Sequence, residues 1–99
     1  LVAPSGPVAP QVDALNGDVW PEWAGAGWAA AIAGYPHLTV PMGSVHGIPI
    51  GLSFMGAKDT DATMLAYGYA YEQATLKRVE PQFLNSAEDR PEIAEAMLK

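Results

Sequence analysis

Cysteine is absent from the 99-residue sequence. Its absence excludes a disulfide framework, a thiolate metal site and a cysteine nucleophile. It is also compatible with a reducing compartment, and we expect the protein to be cytoplasmic. Neither a basic segment nor a long apolar run precedes Pro4, so we expect no signal peptide, and the start at Leu1 without a methionine predicts that sequence upstream is missing.

Positive charge is also scarce, with five Lys and Arg against eleven Asp and Glu and a net charge of -6. Residues 1–57 contain neither Lys nor Arg. No basic cluster is therefore available to neutralise phosphates, which argues against nucleic acid and anionic membrane surfaces as partners. The sequence also lacks a run of about 18 apolar residues, so it predicts no membrane-spanning helix.

Hydrophobic residues, by contrast, are abundant. They make up 49% of the chain, whereas charged residues make up only 16%. A chain of this size buries only about 60% of the surface that its unfolded form exposes, so a core of its own would be thin. We therefore expect a piece of a larger body that needs a partner surface.

The first part of the chain is rich in proline, which predicts an extended or looped segment over residues 1–23. Within it, Leu1-Val2-Ala3 is predicted to be a short strand that stops at Pro4, because proline donates no ladder hydrogen bond. Alanine dominates residues 24–33 and predicts a helix, with Gly34 just beyond its end. Deep burial of this helix is expected from its small side chains, Ala29, Ala30, Ala31 and Ala33.

Two strands are predicted after this helix. Apolar residues alternate from Leu38 to Met42 and again from Ile48 to Phe54, the period-two pattern of a strand with one apolar face. The connecting residues 43–47 have the length and the glycine content of a hairpin loop. The sequence therefore predicts an antiparallel pair.

A longer helix is predicted next. Asp59-Thr60-Asp61 places capping and acidic residues at its start, and Lys77-Arg78 places cations at its end, as the helix dipole favours. Gly68 inside it costs about 1 kcal/mol relative to alanine, and we expect close contact with the sheet in compensation. A short final helix is predicted over residues 92–98. The predicted apolar face of the longer helix comprises Ala62, Leu65, Ala66, Tyr69 and Ala70.

Several short motifs follow one another over roughly residues 1–81. In chain order they are Val2-Ala3-Pro4-Ser5, Ala33-Gly34-Tyr35-Pro36, Val40-Pro41-Met42-Gly43, Gly47-Ile48-Pro49-Ile50-Gly51-Leu52, Asp61 and Glu72-Gln73-Ala74-Thr75. In this combination and order they resemble the C-terminal region of the amidase signature family of amide hydrolases.

The resemblance implies an α/β fold in which the two strands form an antiparallel pair within a mixed central sheet that helices cover. It implies a C-terminal portion of an amidase signature domain over residues 1–81, followed by a polar tail with a short helix over residues 82–99. Enzymes of the family hydrolyse amides through a serine nucleophile, a second serine joined by a cis peptide bond and a lysine. All three lie in an N-terminal part that this chain does not contain. We therefore expect no catalytic residue, no metal and no cofactor, and a missing N-terminal part as the partner.

The resemblance also implies a role in substrate binding. The Pro4-Ser5 turn and the loop through Trp20 are similar to a region that walls the acyl pocket in relatives, so Pro4, Ser5 and Trp20 are the predicted substrate-binding residues. Amidotransferase subunits of the family usually carry Asn-Leu-Ala-Gly before the strand, whereas this chain reads Ala31-Ile32-Ala33-Gly34. We therefore expect a stand-alone amidase that acts on a small-molecule amide, rather than an aminoacyl-tRNA amidotransferase.

The histidines and the strand serines each have two interpretations. His37 and His46 are a metal pair or a general base only if further side chains complete the site, so we expect surface and strand-edge histidines. Ser44 and Ser53 lack a base and an oxyanion glycine run, so we expect hydroxyls that are hydrogen-bonded to the backbone rather than nucleophiles.

The tryptophans and the chain as a whole also have alternative interpretations. Trp20, Trp23 and Trp28 line a hydrophobic pocket, pack in a core or belong to the face buried against the missing part. Only Trp20 lies in the loop that relatives place near substrate. The chain itself is alternatively a non-catalytic interaction or structural module that self-associates through exposed apolar faces.

Overall fold

The structure, a computed structural model, describes residues 1–13, 15–19, 21–23, 25–86 and 89–97. It is α/β, with a three-stranded antiparallel sheet in the order β1-β3-β2 and, in the described residues, three helices, two of which pack against the sheet. The elements in chain order are β1 (Val2–Pro4), α1 (Gly27–Ala33), β2 (His37–Val45), β3 (Ile48–Met55), α2 (Asp61–Thr75) and α3 (Pro91–Met97).

The predicted antiparallel hairpin is confirmed, but its connection is shorter than expected. β2 continues to Val45, which lies opposite Ile48, so the turn consists of His46 and Gly47 alone. Both turn residues have positive φ, 50° and 80°, as in the two-residue turns whose twist matches that of the flanking strands. The five-residue loop over residues 43–47 is therefore a wrong prediction, because the strand pairing extends almost to the tip.

A bulge interrupts the hairpin ladder near Pro41. Pro41 lies opposite Gly51, whereas Gly43 lies opposite Ile50, so Met42 is the extra residue. Proline lacks an N–H, and β2 is an edge strand of the described sheet, which is where a proline is tolerated. The bulge shifts the pairing of the β2 residues that precede Met42 by one position relative to β3.

The predicted N-terminal strand is confirmed as β1, which pairs with β3 rather than with β2. Pro4 is its last residue and lies opposite Leu52. The backbone of Leu1 exchanges hydrogen bonds with Met55, at 2.8 Å from its amino group and 2.9 Å to its carbonyl. The first residues of the chain are thus tied to the last residue of the hairpin.

Helix α1 is confirmed in part. It begins at Gly27, three residues later than predicted, because Gly25 has a φ of 96° that helical backbone does not allow. Gly34 ends it in the left-handed conformation, as predicted. The expectation of deep burial is wrong, since only one of the four alanines, Ala30, is buried and the others are exposed. Among the described residues, nothing covers the outer side of this helix.

Helix α2 contacts the sheet through a different face from the predicted one. Its buried residues are Met64 and Gly68, and Gly68 lies against Leu38 and Val40, which confirms the expected close approach. Because Gly68 has no side chain, the sheet approaches α2 most closely on the face that contains this glycine. The face with the larger apolar residues remains exposed. The residues of the predicted face are all exposed: Ala62, Leu65, Ala66, Tyr69 and Ala70.

The buried core of the described residues is small. Its buried apolar residues are Ala26, Ala30, Val40 and Met64. The radius of gyration is 17.7 Å, against about 13 Å for a compact domain of 100 residues. In the residues that the structure describes, no helix has the length and apolar character to cross a membrane. The short final helix is confirmed as α3, and Leu98 of the predicted span lies outside the described residues.

Candidate functional site

Four polar side chains meet on the sheet face opposite α2. His37 and Thr39 come from β2, Ser53 comes from β3, and Ser5 follows the last residue of β1. Thr39 lies directly opposite Ser53 in the β2–β3 register, and alternation along a strand brings His37 to the same face. We refer to Ser5, Thr39, Ser53 and His37 as the hydroxyl cluster.

The hydroxyl cluster is a directed chain of hydrogen bonds. Ser53 Oγ donates to Ser5 Oγ at 2.8 Å, and Ser5 Oγ donates to Thr39 Oγ1 at 3.2 Å. His37 Nε2 lies 2.6 Å from Ser53 Oγ. Since a serine hydroxyl has one proton and that of Ser53 goes to Ser5, His37 must donate from Nε2. The chain therefore runs from the imidazole through both serines to the threonine.

This direction excludes Ser53 as a nucleophile activated by His37. Ser53 has 0% of its surface exposed, and its partner nitrogen is a donor rather than a base. The hydroxyl is hydrogen-bonded, as expected, but its partners are side chains and not backbone, so that part of the prediction is wrong. For His37, the strand-edge interpretation is confirmed, while its contact with Ser53 was not predicted.

Two glycines allow the backbone of Ser5 to lie against its neighbours. The Ser5 N–H donates to the Gly51 carbonyl at 2.8 Å, and the Ser5 carbonyl accepts from the Ala26 N–H at 3.0 Å. A Cβ on Gly51 would lie 2.8 Å from Ser5 Oγ and 2.5 Å from Thr39 Cγ2. A Cβ on Gly25 would collide with the Ser5 carbonyl oxygen. Ser5 is therefore held from both sides.

The predicted substrate-binding residues that the structure describes, Pro4 and Ser5, do not lie together on one face of the sheet. Ser5 belongs to the hydroxyl cluster. Pro4 is exposed and lies opposite Leu52, so by strand alternation it faces the other side of the sheet. Trp20 lies outside the described residues. Of the other tryptophans, Trp23 and Trp28 are both exposed, which argues against core packing within the described chain.

The sequence contains only a partial signal for the hydroxyl cluster. The alternation of apolar and polar residues along each strand is visible in the sequence. Which β3 residue lies opposite a given β2 residue, however, depends on the register. Counting back from Val45 opposite Ile48 without interruption would place Thr39 opposite Phe54. The bulge at Met42 places Thr39 opposite Ser53 instead. Because a slip of one residue exchanges the faces, the polar cluster can be found only once the bulge is known.

A second feature is an open apolar groove of about 510 Å³ between α1, the end of β3 and the start of α2. Its lining contains no carboxylate, imidazole or aliphatic hydroxyl. It therefore offers mainly apolar contact, with the Tyr35 phenol as its polar side chain. The lining residues are Leu1, Ala29, Ala30, Ala33, Tyr35, Met55, Gly56, Ala57 and Met64.

A third feature is a hydrogen-bonded turn at Asp13. The pKa of Asp13 is lowered, chiefly by the backbone N–H of Asn16 and then by the Asn16 amide and the Leu15 N–H, all of which hydrogen-bond to its carboxylate. These bonds join the Asp13 carboxylate to Leu15 and Asn16. Within the part of the chain that the structure describes, no group of three or more His, Asp or Glu lies together to hold a metal ion.

Comparison with known proteins points to amide chemistry. The chain is 43% identical over 47 residues to a glutamyl-tRNA(Gln) amidotransferase subunit of Desulforudis audaxviator, which covers 48% of the chain and 10% of that protein. It is 42% identical over 55 residues to a probable amidase of Arabidopsis thaliana, covering 54% of the chain and 11% of that protein. The corresponding amidotransferase subunit of Lactiplantibacillus plantarum is 46% identical over 44 residues, which is 44% of the chain and 9% of that protein.

These relatives are amide-bond enzymes by name, either amidases or amidotransferase subunits. Both kinds are amidase signature proteins, so the resemblance to that family is confirmed over about half of the chain. The chain spans about a tenth of the length of the curated relatives it matches. No protein-family model and no solved structure matches it.

Proposed function

We propose that the chain is the C-terminal segment of an amidase signature hydrolase that cleaves carboxylic amides through a serine acyl-enzyme. The observation that carries this proposal is the 42–46% identity to an amidase and to amidotransferase subunits. The nucleophile, the second serine and the lysine would lie in the N-terminal part. Residues 1–81 would then complete the catalytic domain, and residues 82–99 would form a polar tail.

Exposed apolar surface supports the need for that partner. On α2, Leu65 is 61% exposed and Tyr69 is 67% exposed, and on α1 Ile32 is 80% exposed. Burying a side chain of this size contributes about 1.5–3 kcal/mol, so covering these faces would stabilise the assembly considerably. In the proposed enzyme, the N-terminal part covers them and extends the three antiparallel strands into a mixed central sheet.

The proposed role of this segment is structural support and substrate binding. Ser53 is buried and its proton is donated to Ser5, so the described serine–histidine contact supplies no nucleophile. Pro4, Ser5 and Trp20 are the residues proposed to wall the acyl pocket. The pattern at Ala31-Ile32-Ala33-Gly34 favours a stand-alone amidase acting on a small amide over an amidotransferase subunit. We propose that this amidase is cytoplasmic.

An activity assay tests the proposal. The purified 99-residue chain should show no turnover of simple aliphatic or aryl amides, whereas adding a separately produced amidase N-terminal part should give association and restore activity. The outcome that contradicts the proposal is turnover by the chain alone that disappears on replacing one of its own serines, Ser5, Ser44, Ser53 or Ser86.

A second candidate function is a non-catalytic module that self-associates. The observation in its favour is the combination of exposed apolar helix faces with β2, a nine-residue strand at the edge of the described sheet. Light scattering separates the two candidates. A defined homo-oligomer that does not bind the N-terminal part favours the self-associating module. A monomer that binds the N-terminal part favours the C-terminal segment of an amidase.

A further inference from the structure

The hydroxyl cluster leaves one acceptor and one donor unused at its outer edge. Ser5 Oγ accepts from Ser53 and donates to Thr39, so one lone pair remains. Thr39 Oγ1 accepts from Ser5 and keeps its own proton. Its other neighbour in the described chain, Ser53 Oγ, lies at 3.5 Å, the longest contact in the hydroxyl cluster and the limit of hydrogen-bonding distance.

These two groups are accessible, whereas the Ser53 hydroxyl behind them is not. Thr39 is exposed and Ser5 is half-buried, while Ser53 is completely buried beneath them. Gly51 contributes no side chain, and the two hydroxyl-bearing side chains occupy the space that its Cβ would need. The result is an adjacent acceptor and donor, 3.2 Å apart, at an accessible edge of the hydroxyl cluster.

A carboxamide is the complement of such a pair, because it presents a carbonyl acceptor and an N–H donor side by side. We propose that Ser5 and Thr39 bind the carboxamide group of a small ligand, with Thr39 donating to its carbonyl oxygen and Ser5 accepting from its N–H. His37 and Ser53 are positioning residues that fix the direction of both hydroxyl protons. The assignment rests on the proposed function in taking an amide as the substrate class and Ser5 as a residue that meets it.

His37 and Ser53 are what make the pair of Ser5 and Thr39 selective. A free pair of hydroxyls can exchange donor and acceptor roles by rotating, and it then fits several ligand groups equally well. Here Ser53 Oγ accepts from the His37 N–H, so the Ser53 proton points to Ser5 Oγ. Ser5 Oγ accepts that proton, so its own proton points to Thr39. Only Thr39 is left as the outward donor, so the order of the pair is set from behind.

Binding can be measured by NMR titration of the 15N-labelled 99-residue chain with propionamide, following the amides of Ser5, Thr39 and Ser53. We expect saturable shifts at these positions. N,N-dimethylpropionamide, which lacks the N–H donor, and propionate should bind about three- to tenfold more weakly, the effect of one neutral hydrogen bond.

Matched variants separate the contacting residues from the positioning ones. Thr39→Val should weaken propionamide binding about three- to tenfold, Thr39→Ser should restore it, and the control Ser44→Ala should leave it unchanged. His37→Phe should reduce the preference for propionamide over its dimethyl analogue, and His37→Gln, which keeps an N–H donor, should recover it. The imidazole 15N shifts of His37 should report a proton on Nε2, a readout that a merely structural role does not require.

Three outcomes overturn the inference: no saturable shift with propionamide, equal binding by Thr39→Val, or a His37 ring whose only proton is on Nδ1. The amide spectrum of each variant shows whether it is folded. If Thr39→Val does not fold, the comparison of propionamide with its dimethyl analogue on the unchanged chain decides the matter. Restored amidase activity with the N-terminal part but no propionamide binding at Ser5 and Thr39 rejects this inference alone. Binding at the cluster without any restored activity rejects the proposed function alone.

Discussion

Replacing Gly51 with alanine tests the close packing of β3 against Ser5 and Thr39. The new Cβ would lie 2.5 Å from Thr39 Cγ2 and 2.8 Å from Ser5 Oγ. Neither neighbour is the far end of a long side chain, and a β-branched threonine in a strand has few alternative rotamers. The side chains must therefore move apart, and the Ser5–Thr39 hydrogen bond should break.

The expected cost is the balance of three effects. Overpacking costs about 1–3 kcal/mol, and each lost hydroxyl hydrogen bond costs about 1 kcal/mol. Alanine in a strand recovers about 0.5–1 kcal/mol relative to glycine through reduced backbone entropy. We therefore expect Gly51→Ala to lower the free energy of unfolding by about 2 kcal/mol, because the steric and hydrogen-bond losses exceed the entropic gain.

Urea unfolding followed by circular dichroism measures this difference on the 99-residue chain. Gly6→Ala is the control, because a Cβ at Gly6 meets nothing within 4 Å and should leave stability unchanged or slightly higher. Adding Thr39→Ser to Gly51→Ala removes the Cγ2 atom and should recover part of the loss, which gives a coupling energy of about 0.5–3 kcal/mol. Equal stability of Gly51→Ala and the wild type, with the Ser5 and Thr39 amide shifts unmoved, would refute the reasoning.

Three further predictions concern the turn, the exposed helix face and the acidic loop. Gly47→Ala should destabilise the hairpin by about 1 kcal/mol, because its φ of 80° is strained for alanine, and loss of hydrogen-exchange protection near the turn would show this. Leu65→Ser with Tyr69→Ser should leave the circular dichroism spectrum unchanged but reduce association measured by light scattering or with the N-terminal part; unchanged association contradicts this use of the face. The turn around Asp13 should be most stable above the ordinary carboxyl pKa and should open as the pH falls through its lowered pKa, so the Leu15 amide shift should titrate in acid and cease to do so in Asp13→Asn.

Local chemistry accounts for the elements that can be predicted from the sequence. Gly34 ends α1 because it accepts a left-handed backbone, and alternating apolar residues mark both strands of the hairpin. Gly68 is predicted to contact the sheet, and it lies against Leu38 and Val40. Each of these features depends on a few neighbouring residues, so a single sequence is enough to place them.

Long-range packing accounts for the errors. Helix α2 is apolar on two sides, and the periodicity of Leu65 and Tyr69 does not reveal that the glycine side meets the sheet. The Ser5–Ser53 contact joins residues 48 positions apart. The position of Thr39 opposite Ser53 depends on a bulge at Met42, which local propensities do not predict. The small side chains of α1 predict deep burial, but the surface that would cover them is not among the described residues.

Strand β1 sets the order in which this sheet is completed. The hairpin between Val45 and Ile48 closes through a two-residue turn and can form within microseconds. β1 pairs with residues that lie about fifty positions later, with Val2 opposite Phe54, so its docking carries the larger loop-closure cost. During synthesis the N-terminal strand must therefore wait until β3 has been made. Ser5 arrives with that strand, so its hydrogen bond to Ser53 can form only after β1 has docked on β3.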